Sequence, residues 1–456
     1  MPDFQLPVDK SLEAFNSLGP YYLLLFLFAC GYYLFQRYLC QNSNPFPKYF
    51  IWFALCCALA IMILLAYYVF GSIDVHHFMK IAETVYSGES VYKNTGYNYA
   101  PFYMWILFLC KWISHAASIP LYFVIKWPAI LVGSLFMVLV LYLPFKATRE
   151  RQNISLLLAF SPILISVSTL LGQIDIIHIF FSFIAFILLQ NDNKRWQWAA
   201  ICLGLAIYIK TPSILLLPAF LAQFSTRKSK LSFLCIALTP VSLSLLIASF
   251  FAPKEVFNNV ILFRGYVGGS WGFSGLFWIL GQVFKHIIEF PMAYNSMHSF
   301  WNLYNSYGVY VFFTMMGASY FLLFQRISLL KRIVYTFLCF YAFSNAVSPQ
   351  NLVWILPFLI YSNFSFAPGF NFWSILMIGI YVPAVIGHDS VLYLGKIRYT
   401  YPLMTGFLWA YCTVYLLYFI IREESAWEKP IKFGRGSVSR LLLWSDQLKG
   451  WSIRKV

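Results

Sequence analysis

The chain has 456 residues, of which 61% are hydrophobic and 11% are charged. Because soluble domains carry roughly 25% charged residues, this composition excludes a water-soluble globular fold. The formal net charge of +16 does not indicate nucleic-acid binding. The Lys and Arg residues form short clusters between apolar runs and a basic tail, as they do at the cytoplasmic ends of membrane helices.

The apolar runs predict an all-α polytopic membrane protein. Several runs can cross about 30 Å of hydrocarbon as helices, and they lack the alternation of a β-barrel. If all basic clusters face the cytoplasm, the chain makes about thirteen transmembrane helices, with the N-terminus outside and the C-terminus inside. The predicted spans are residues 20–37, 50–70, 122–145, 153–171, 174–190, 197–210, 212–224, 231–251, 303–325, 332–347, 350–364, 372–387 and 401–421.

This path divides the chain into three parts. Residues 1–19 form an outer N-terminal segment, residues 20–421 form the membrane domain, and residues 422–456 form a basic cytoplasmic tail. Within the membrane domain, the first outer loop covers residues 71–120 and the fourth outer loop covers residues 252–302. The other outer loops are predicted to be short.

The first outer loop contains two segments that we expect to lie at the membrane interface. Residues 101–117 are apolar enough to cross, but a crossing would move every later basic cluster to the outside. Lys111 and His115 give this segment a polar stripe, so an interfacial helix fits it better. The earlier stretch "DVHHFMKIAETVYSG" has apolar residues at spacings of three and four. This spacing predicts a short helix lying on the membrane and ending at Gly88.

Ionisable residues collect at the predicted outer ends of the spans, where they are functional candidates by default. Asp74 directly follows the second span, although capping of the short helix is an ordinary role for an aspartate there. Asp175 lies in the short second outer loop, and Arg264 lies in the fourth. Lys210 lies in a hairpin whose arms hold about fourteen residues each, too few to cross the bilayer core as helices. We therefore expect Lys210 in a protein-lined cavity.

Two carboxylates and two cations suit the transfer of a group from a phosphate. A carboxylate can take a proton from an acceptor hydroxyl, and cations can stabilise a phosphate leaving group. His76 and His77, next to Asp74, could complete a metal site, but adjacent residues on a helix point in different directions. We therefore predict no metal, with a bound divalent ion as the alternative.

A series of motifs resembles the GT-C superfamily of glycosyltransferases. Asp74 just after a span, "YSGESVY" and "YNYAPFY" are similar to the first outer loop of that superfamily. "FSP", "LGQID", "GLAIYIKTPSILLLP" and "SPQNLVWILPFLIY" follow in the family's order, over roughly residues 50–360. Two details differ, because "YAP" replaces the commoner "YPP" and the aspartate stands alone instead of in a DxD or EDD cluster.

The resemblance implies a GT-C-like helical bundle and a bacterial, mannosyltransferase-like enzyme of the plasma (inner) membrane. Such an enzyme moves a hexose or pentose from a polyprenyl-phosphate donor to a hydroxyl of a glycan or glycolipid acceptor. The reaction takes place at the non-cytoplasmic membrane face, with inversion and without a cofactor. By the same resemblance, Asp74 is the general base, and Lys210 and Arg264 bind the donor phosphate. The predicted contacts with the sugar or the acceptor are His77, Gln173 and Asp175.

Two other functions fit parts of the sequence. A transporter or flippase of lipid-linked sugars typically shows internal repeats and broken helices near mid-membrane, whereas here no repeat is visible and the polar residues gather at one face. An O-antigen polymerase or ligase would concentrate Arg and His in one late outer loop, whereas here the first, acid-led loop dominates. Both comparisons favour the glycosyltransferase.

Overall fold

The structure of the chain is a computed structural model. It describes residues 8–41, 44–143, 146–191, 195–261, 271, 280, 291–344, 347–362, 366–386 and 400–424. No β-strand occurs within these ranges, which confirms the all-α class. Among the described residues, those up to Thr413 form one compact unit and those from Val414 to Glu424 belong to another. The contacts described below lie within the first unit.

The helices are numbered in chain order. They are α1 (Val8–Gln41), α2 (Lys48–Tyr68), α3 (Ile73–Tyr86), α4 (Val91–Asn94), α5 (Pro101–Ala117), α6 (Leu121–Val124), α7 (Trp127–Leu141), α8 (Thr148–Ala159), α9 (Pro162–Ile165), α10 (Asp175–Asn191), α11 (Trp196–Ile209), α12 (Leu217–Leu221), α13 (Arg227–Phe251), α14 (Pro253–Val256), α15 (Pro291–Leu322), α16 (Leu329–Phe343), α17 (Leu356–Ser362), α18 (Phe366–Ile386) and α19 (Thr400–Glu424). Short π-helices lie at Ser166–Leu170 and Phe257–Ile261, and 3₁₀ helices at Thr211–Leu216 and Pro349–Val353.

Five helices among the described residues are long and apolar enough to cross a membrane, which confirms a polytopic membrane protein. They are Pro20–Gln41, Lys48–Tyr68, Leu121–Leu141, Arg227–Phe251 and Leu403–Ile421. A pair of helices bent by 43°, α8 and the segment Pro162–Leu170, would make a sixth span. The number of about thirteen spans stays a prediction, because other predicted spans are shorter apolar helices, among them α10 and α11.

Two of the predicted spans break or change helix type at a proline. Predicted span 153–171 bends where Ser161 caps the first turn of α9 through its hydroxyl and Pro162 occupies that turn, a position that proline favours. Predicted span 212–224 opens as a 3₁₀ helix with Pro212 in its first turn. The backbone changes direction or helix type at these prolines, close in sequence to the candidate residues Asp175 and Lys210.

The predicted segments at the two ends of the chain are only partly described. α1 begins at Val8 and continues into the first span without interruption, so the described part of segment 1–19 is helical. Apart from the last residues of α19, the tail 422–456 lies outside the described residues. So does most of the fourth outer loop, residues 252–302.

The short helix predicted after the second span is α3. Its apolar residues Val75, Phe78 and Ala82 are at most 1% exposed, and the Phe78 ring meets that of Tyr103 in α5 at 5.1 Å. This face is therefore buried by protein instead of lying on the membrane, because α5 covers it. Gly88, with φ of +78°, follows the end of α3 as expected. α5 has 17 residues and is not among the possible spans, and its interfacial location stays a prediction.

The α10–α11 pair brings distant residues to one end of the bundle. The two helices pack along each other and are joined by a short connection, so the start of α10 and the end of α11 are neighbours. Asp175 is the first residue of α10. Lys210 follows α11 with extended backbone, φ −148° and ψ 114°, and its side chain turns back toward Asp175.

Candidate active site

Asp74 is held by a glutamine that is distant in sequence. The Nε2 atom of Gln173 donates a hydrogen bond of 2.5 Å to Oδ2 of Asp74. Gln173 itself is 1% exposed and lies in the turn between the π-helix and α10. The N-cap position of α3 is taken by Ser72, whose hydroxyl donates to the carbonyl of Leu171 at 2.8 Å. Asp74 therefore has a tertiary partner and is not the capping residue of its helix.

The surroundings of Asp74 make it a stronger base than an ordinary aspartate. The residue is exposed, yet enough protein surrounds the carboxyl group that burial raises its pKa. The charge of Lys210, the hydrogen bond from Gln173 and the charge of His77 lower this pKa in part, and the charge of Asp175 raises it. A carboxylate with a raised pKa and access to solvent is suited to take a proton from a hydroxyl.

Lys210 and Asp175 form a buried ion pair. Nζ of Lys210 lies 2.7 Å from Oδ2 of Asp175, and Nε1 of Trp354 donates to Oδ1 at 2.5 Å. Asp175 is 0% exposed and Lys210 is 8% exposed. Both oxygens of Asp175 thus have donors within the protein, and its predicted contact with the sugar or the acceptor stays a prediction.

The ammonium group of Lys210 connects this pair to Asp74. It lies 5.9 Å from the centre of the Tyr99 ring, and it is close enough to Asp74 to lower the pKa of that carboxyl. Gln173 bonds to Asp74, and Asp175, two residues later, bonds to Lys210, so the two candidates lie in neighbouring parts of one polar cluster. Their roles as base and phosphate ligand stay predictions. The sequence analysis did not assign Tyr99 to the site. Its position in the motif "YNYAPFY" was the feature that could have indicated it.

A second layer of polar side chains lies behind the ion pair. Nδ1 of His178 is 2.7 Å from the hydroxyl of Ser213, and Nε2 of His178 is 3.6 Å from Oδ1 of Asp175. His178 and Ser213 are 1% and 3% exposed. The sequence reasoning missed both residues, although His178 follows Asp175 by three positions and so lies on the same face of a helix.

The remaining predicted site residues are His77 and Arg264, of which the structure describes only His77. His77 lies one turn after Asp74 on α3 and is half-buried, and burial lowers its pKa, so it is neutral at pH 7. Arg264 lies outside the described residues. Within the described ranges, no three His, Cys, Asp or Glu side chains lie together as ligands of one metal ion.

One protein family matches the sequence. Residues 97–273 match the model of glycosyltransferase family 87, a GT-C-type family of membrane enzymes. No curated protein matches. The match confirms the resemblance to GT-C glycosyltransferases and supports a glycosyltransferase activity for this chain. The matched range includes Gln173, Asp175 and Lys210, and it begins after Asp74.

The bond from Gln173 to Asp74 leads to a prediction on pH dependence. If Asp74 is the general base, it acts only when deprotonated, and the acid limb of kcat/KM then falls as the pH drops through its pKa. Gln173→Leu removes a donor that lowers this pKa, and the acid limb should therefore move to higher pH. At high pH the loss should be about tenfold at most, equivalent to one ordinary hydrogen bond.

The measurement is kcat/KM against pH for the wild type and the variant. Gln190→Leu, at the far end of α10, is the matched control and should keep the wild-type profile. An acid limb that stays in place in Gln173→Leu would show that Asp74 does not control it.

Proposed function

We propose that the protein is an inverting glycosyltransferase. It moves a hexose or pentose from a polyprenyl-phosphate donor to a hydroxyl of a lipid or glycan acceptor, at the non-cytoplasmic face of the plasma (inner) membrane. The observation that carries this proposal is the meeting of a basic carboxylate, Asp74, with a buried ammonium group, Lys210, in one site. A base and a phosphate-binding cation are the two groups that this reaction requires.

Asp74 is the general base of the proposed reaction. Its carboxylate takes the proton of the acceptor hydroxyl while the hydroxyl oxygen attacks the anomeric carbon from the face opposite the phosphate. The new glycosidic C–O bond forms as the bond between the anomeric carbon and the phosphate oxygen breaks. The electron pair leaves with polyprenyl phosphate, and the sugar configuration inverts.

Lys210 stabilises the leaving phosphate in this proposal. An ammonium group has three N–H donors, and Asp175 accepts one of them. The ammonium group has two further N–H donors for a phosphate, and Lys interacts with a phosphate as a point charge. We assign Asp175 to holding Lys210, with Trp354 on its other oxygen, and not to binding the sugar. Arg264 stays a proposed second phosphate ligand from the resemblance alone.

Gln173 and His77 complete the proposed acceptor side. Gln173 is almost fully buried and bonded to Asp74, so we assign it to orienting the base. His77 is half-buried on the same helix as Asp74, and its neutral ring can form a hydrogen bond with the acceptor. A transporter of lipid-linked sugars would not need a base with a raised pKa, and the family match also favours the enzyme.

The role of Asp74 is tested by Asp74→Asn. Loss of the base should reduce sugar transfer by at least about a hundredfold, while the amide keeps the shape of the side chain. Purified protein is incubated with radiolabelled polyprenyl-phosphate sugars carrying mannose, arabinose or glucose, and with a lipid extract as acceptor. The product is then analysed for the transferred sugar.

Glu83→Gln is the matched control for this test, because Glu83 is an exposed acid on the same helix and pairs with Lys111 at 3.5 Å. It should keep wild-type turnover. Transfer at the wild-type rate by Asp74→Asn would remove the assigned base. Movement of the lipid-linked sugar across vesicles by Asp74→Asn, with no transfer detected for the wild type, would establish the transporter instead.

The role of Lys210 is tested by Lys210→Met. The KM for the donor should rise about ten- to hundredfold, as expected for loss of a charged hydrogen bond, and the KM for the acceptor should change little. Removal of one partner of a buried ion pair is strongly destabilising, so the double variant Lys210→Met with Asp175→Asn is measured as well.

The double variant separates binding from folding. It should melt closer to the wild-type temperature than Lys210→Met, because no buried charge is left unpaired, but it should keep the high donor KM. A wild-type donor KM in the double variant would refute the phosphate-binding role of Lys210.

A further inference from the structure

Lys126 is a buried lysine that the proposed reaction does not use. It lies between α6 and α7 and is 0% exposed. Its Nζ atom donates to the carbonyl of Ala66 at 3.1 Å and to that of Val69 at 2.5 Å. These carbonyls belong to the end of α2, where backbone oxygens have no partner within the helix. A cation is also favourable at a helix C-terminus.

The position of this ammonium group excludes direct phosphate binding. Tyr122, one turn before Lys126, donates its hydroxyl to the carbonyl of Tyr67 at 2.9 Å. The segment from Tyr122 to Lys126 therefore satisfies several carbonyls at the end of α2. Lys126 faces this helix end and is closed off from solvent, whereas the donor must reach an open site.

The aliphatic part of Lys126 lies against two glycines. A Cβ atom at Gly71 would lie 3.3 Å from Cε of Lys126, and one at Gly172 would lie 3.5 Å from Cγ. Both glycines also approach Val75, since the same Cβ atoms would lie 2.7 and 2.5 Å from its Cγ2. The Lys126 stem therefore packs against both backbone turns at the point where they meet.

The turns at Gly71 and Gly172 lie next to Asp74 and to its hydrogen-bond partner Gln173. Gly71 precedes Asp74 by three residues, and Gly172 directly precedes Gln173. We propose that Lys126 is a positioning residue of the active site. It fixes the end of α2 and the two glycine turns so that the amide of Gln173 reaches the carboxylate of Asp74. This inference rests on the proposed function only in taking Asp74 as the base.

The consequence can be measured through the acid limb of the pH profile. Besides Gln173, the charged or titratable groups that interact with Asp74 are Lys210, His77, Asp175, Tyr99, Tyr103 and Tyr381. Within the described residues, no hydrogen bond or ion pair joins any of them to Lys126. Lys126→Met keeps the apolar stem and removes the ammonium group. The two turns should then separate, and the hydrogen bond from Gln173 to Asp74 should be lost. The acid limb should therefore move to higher pH, as in Gln173→Leu.

The test is a double-mutant cycle on kcat/KM against pH with Lys126→Met, Gln173→Leu and the combination of both. We expect Lys126→Met to lose about tenfold or more of kcat, since small misplacements of catalytic groups are costly. The combined variant should show no shift of the acid limb beyond that of Gln173→Leu alone. Lys230→Met is the control, since Lys230 pairs with Tyr320 at 3.1 Å, away from these turns.

Each result decides the inference. Additive shifts, or an unchanged acid limb in Lys126→Met while Asp74→Asn is inactive, would overturn it and leave the proposed function standing. Wild-type activity of Asp74→Asn would overturn both. If Lys126→Met does not fold, Lys126→Gln is used, because its amide can still donate to one carbonyl. Failure of both variants to fold would give Lys126 a role in the whole fold and also overturn the inference.

Discussion

The buried ion pair between Lys210 and Asp175 is the interaction on which the site depends. Two charges removed from water are costly unless they pair closely and their other hydrogen-bonding positions are filled. Here Trp354, which is 179 residues away from Asp175 in the sequence, donates to the second oxygen of Asp175, and His178 lies next to the same carboxylate. The end of α11 and the start of α10 are thereby held together with the segment around Trp354. The ammonium group then keeps a fixed position at the edge of this cluster.

The same pair resolves a conflict in the proposed chemistry. A general base works best when its pKa is raised toward the working pH, but a phosphate-binding cation beside it lowers that pKa. Lys210 does lower the pKa of Asp74, and Asp175 acts in the opposite direction. Pairing the lysine with its own carboxylate therefore limits its effect on the base. A neutral partner for Lys210 would not provide this compensation.

The sequence predicted the helical class from local pattern and a cavity position of Lys210 from hairpin length, and the resemblance to the GT-C superfamily led us to expect Asp74 and Lys210 in one site. It could not predict the partners of those residues. Asp175 looks like a sugar ligand in a polar loop until the indole of Trp354 and the ammonium of Lys210 are seen on its two oxygens. Lys126 lies inside the predicted span 122–145, and only the structure shows that it occupies the turn between α6 and α7.

The placement of Asp74 relative to Gln173 depends on two glycines as much as on the hydrogen bond between the two residues. Gly172 has φ of +65°, a conformation that glycine adopts without strain, and any Cβ there would overlap Val75. A Cβ atom at Gly71 would overlap the same Cγ2 atom of Val75. The side chain of Val75 on α3 thus occupies the space that a Cβ atom at Gly71 or Gly172 would need. This contact determines how closely α3 approaches the turn before α10. Charge determines what the site can do, whereas this steric fit determines whether the charged groups stand close enough to do it.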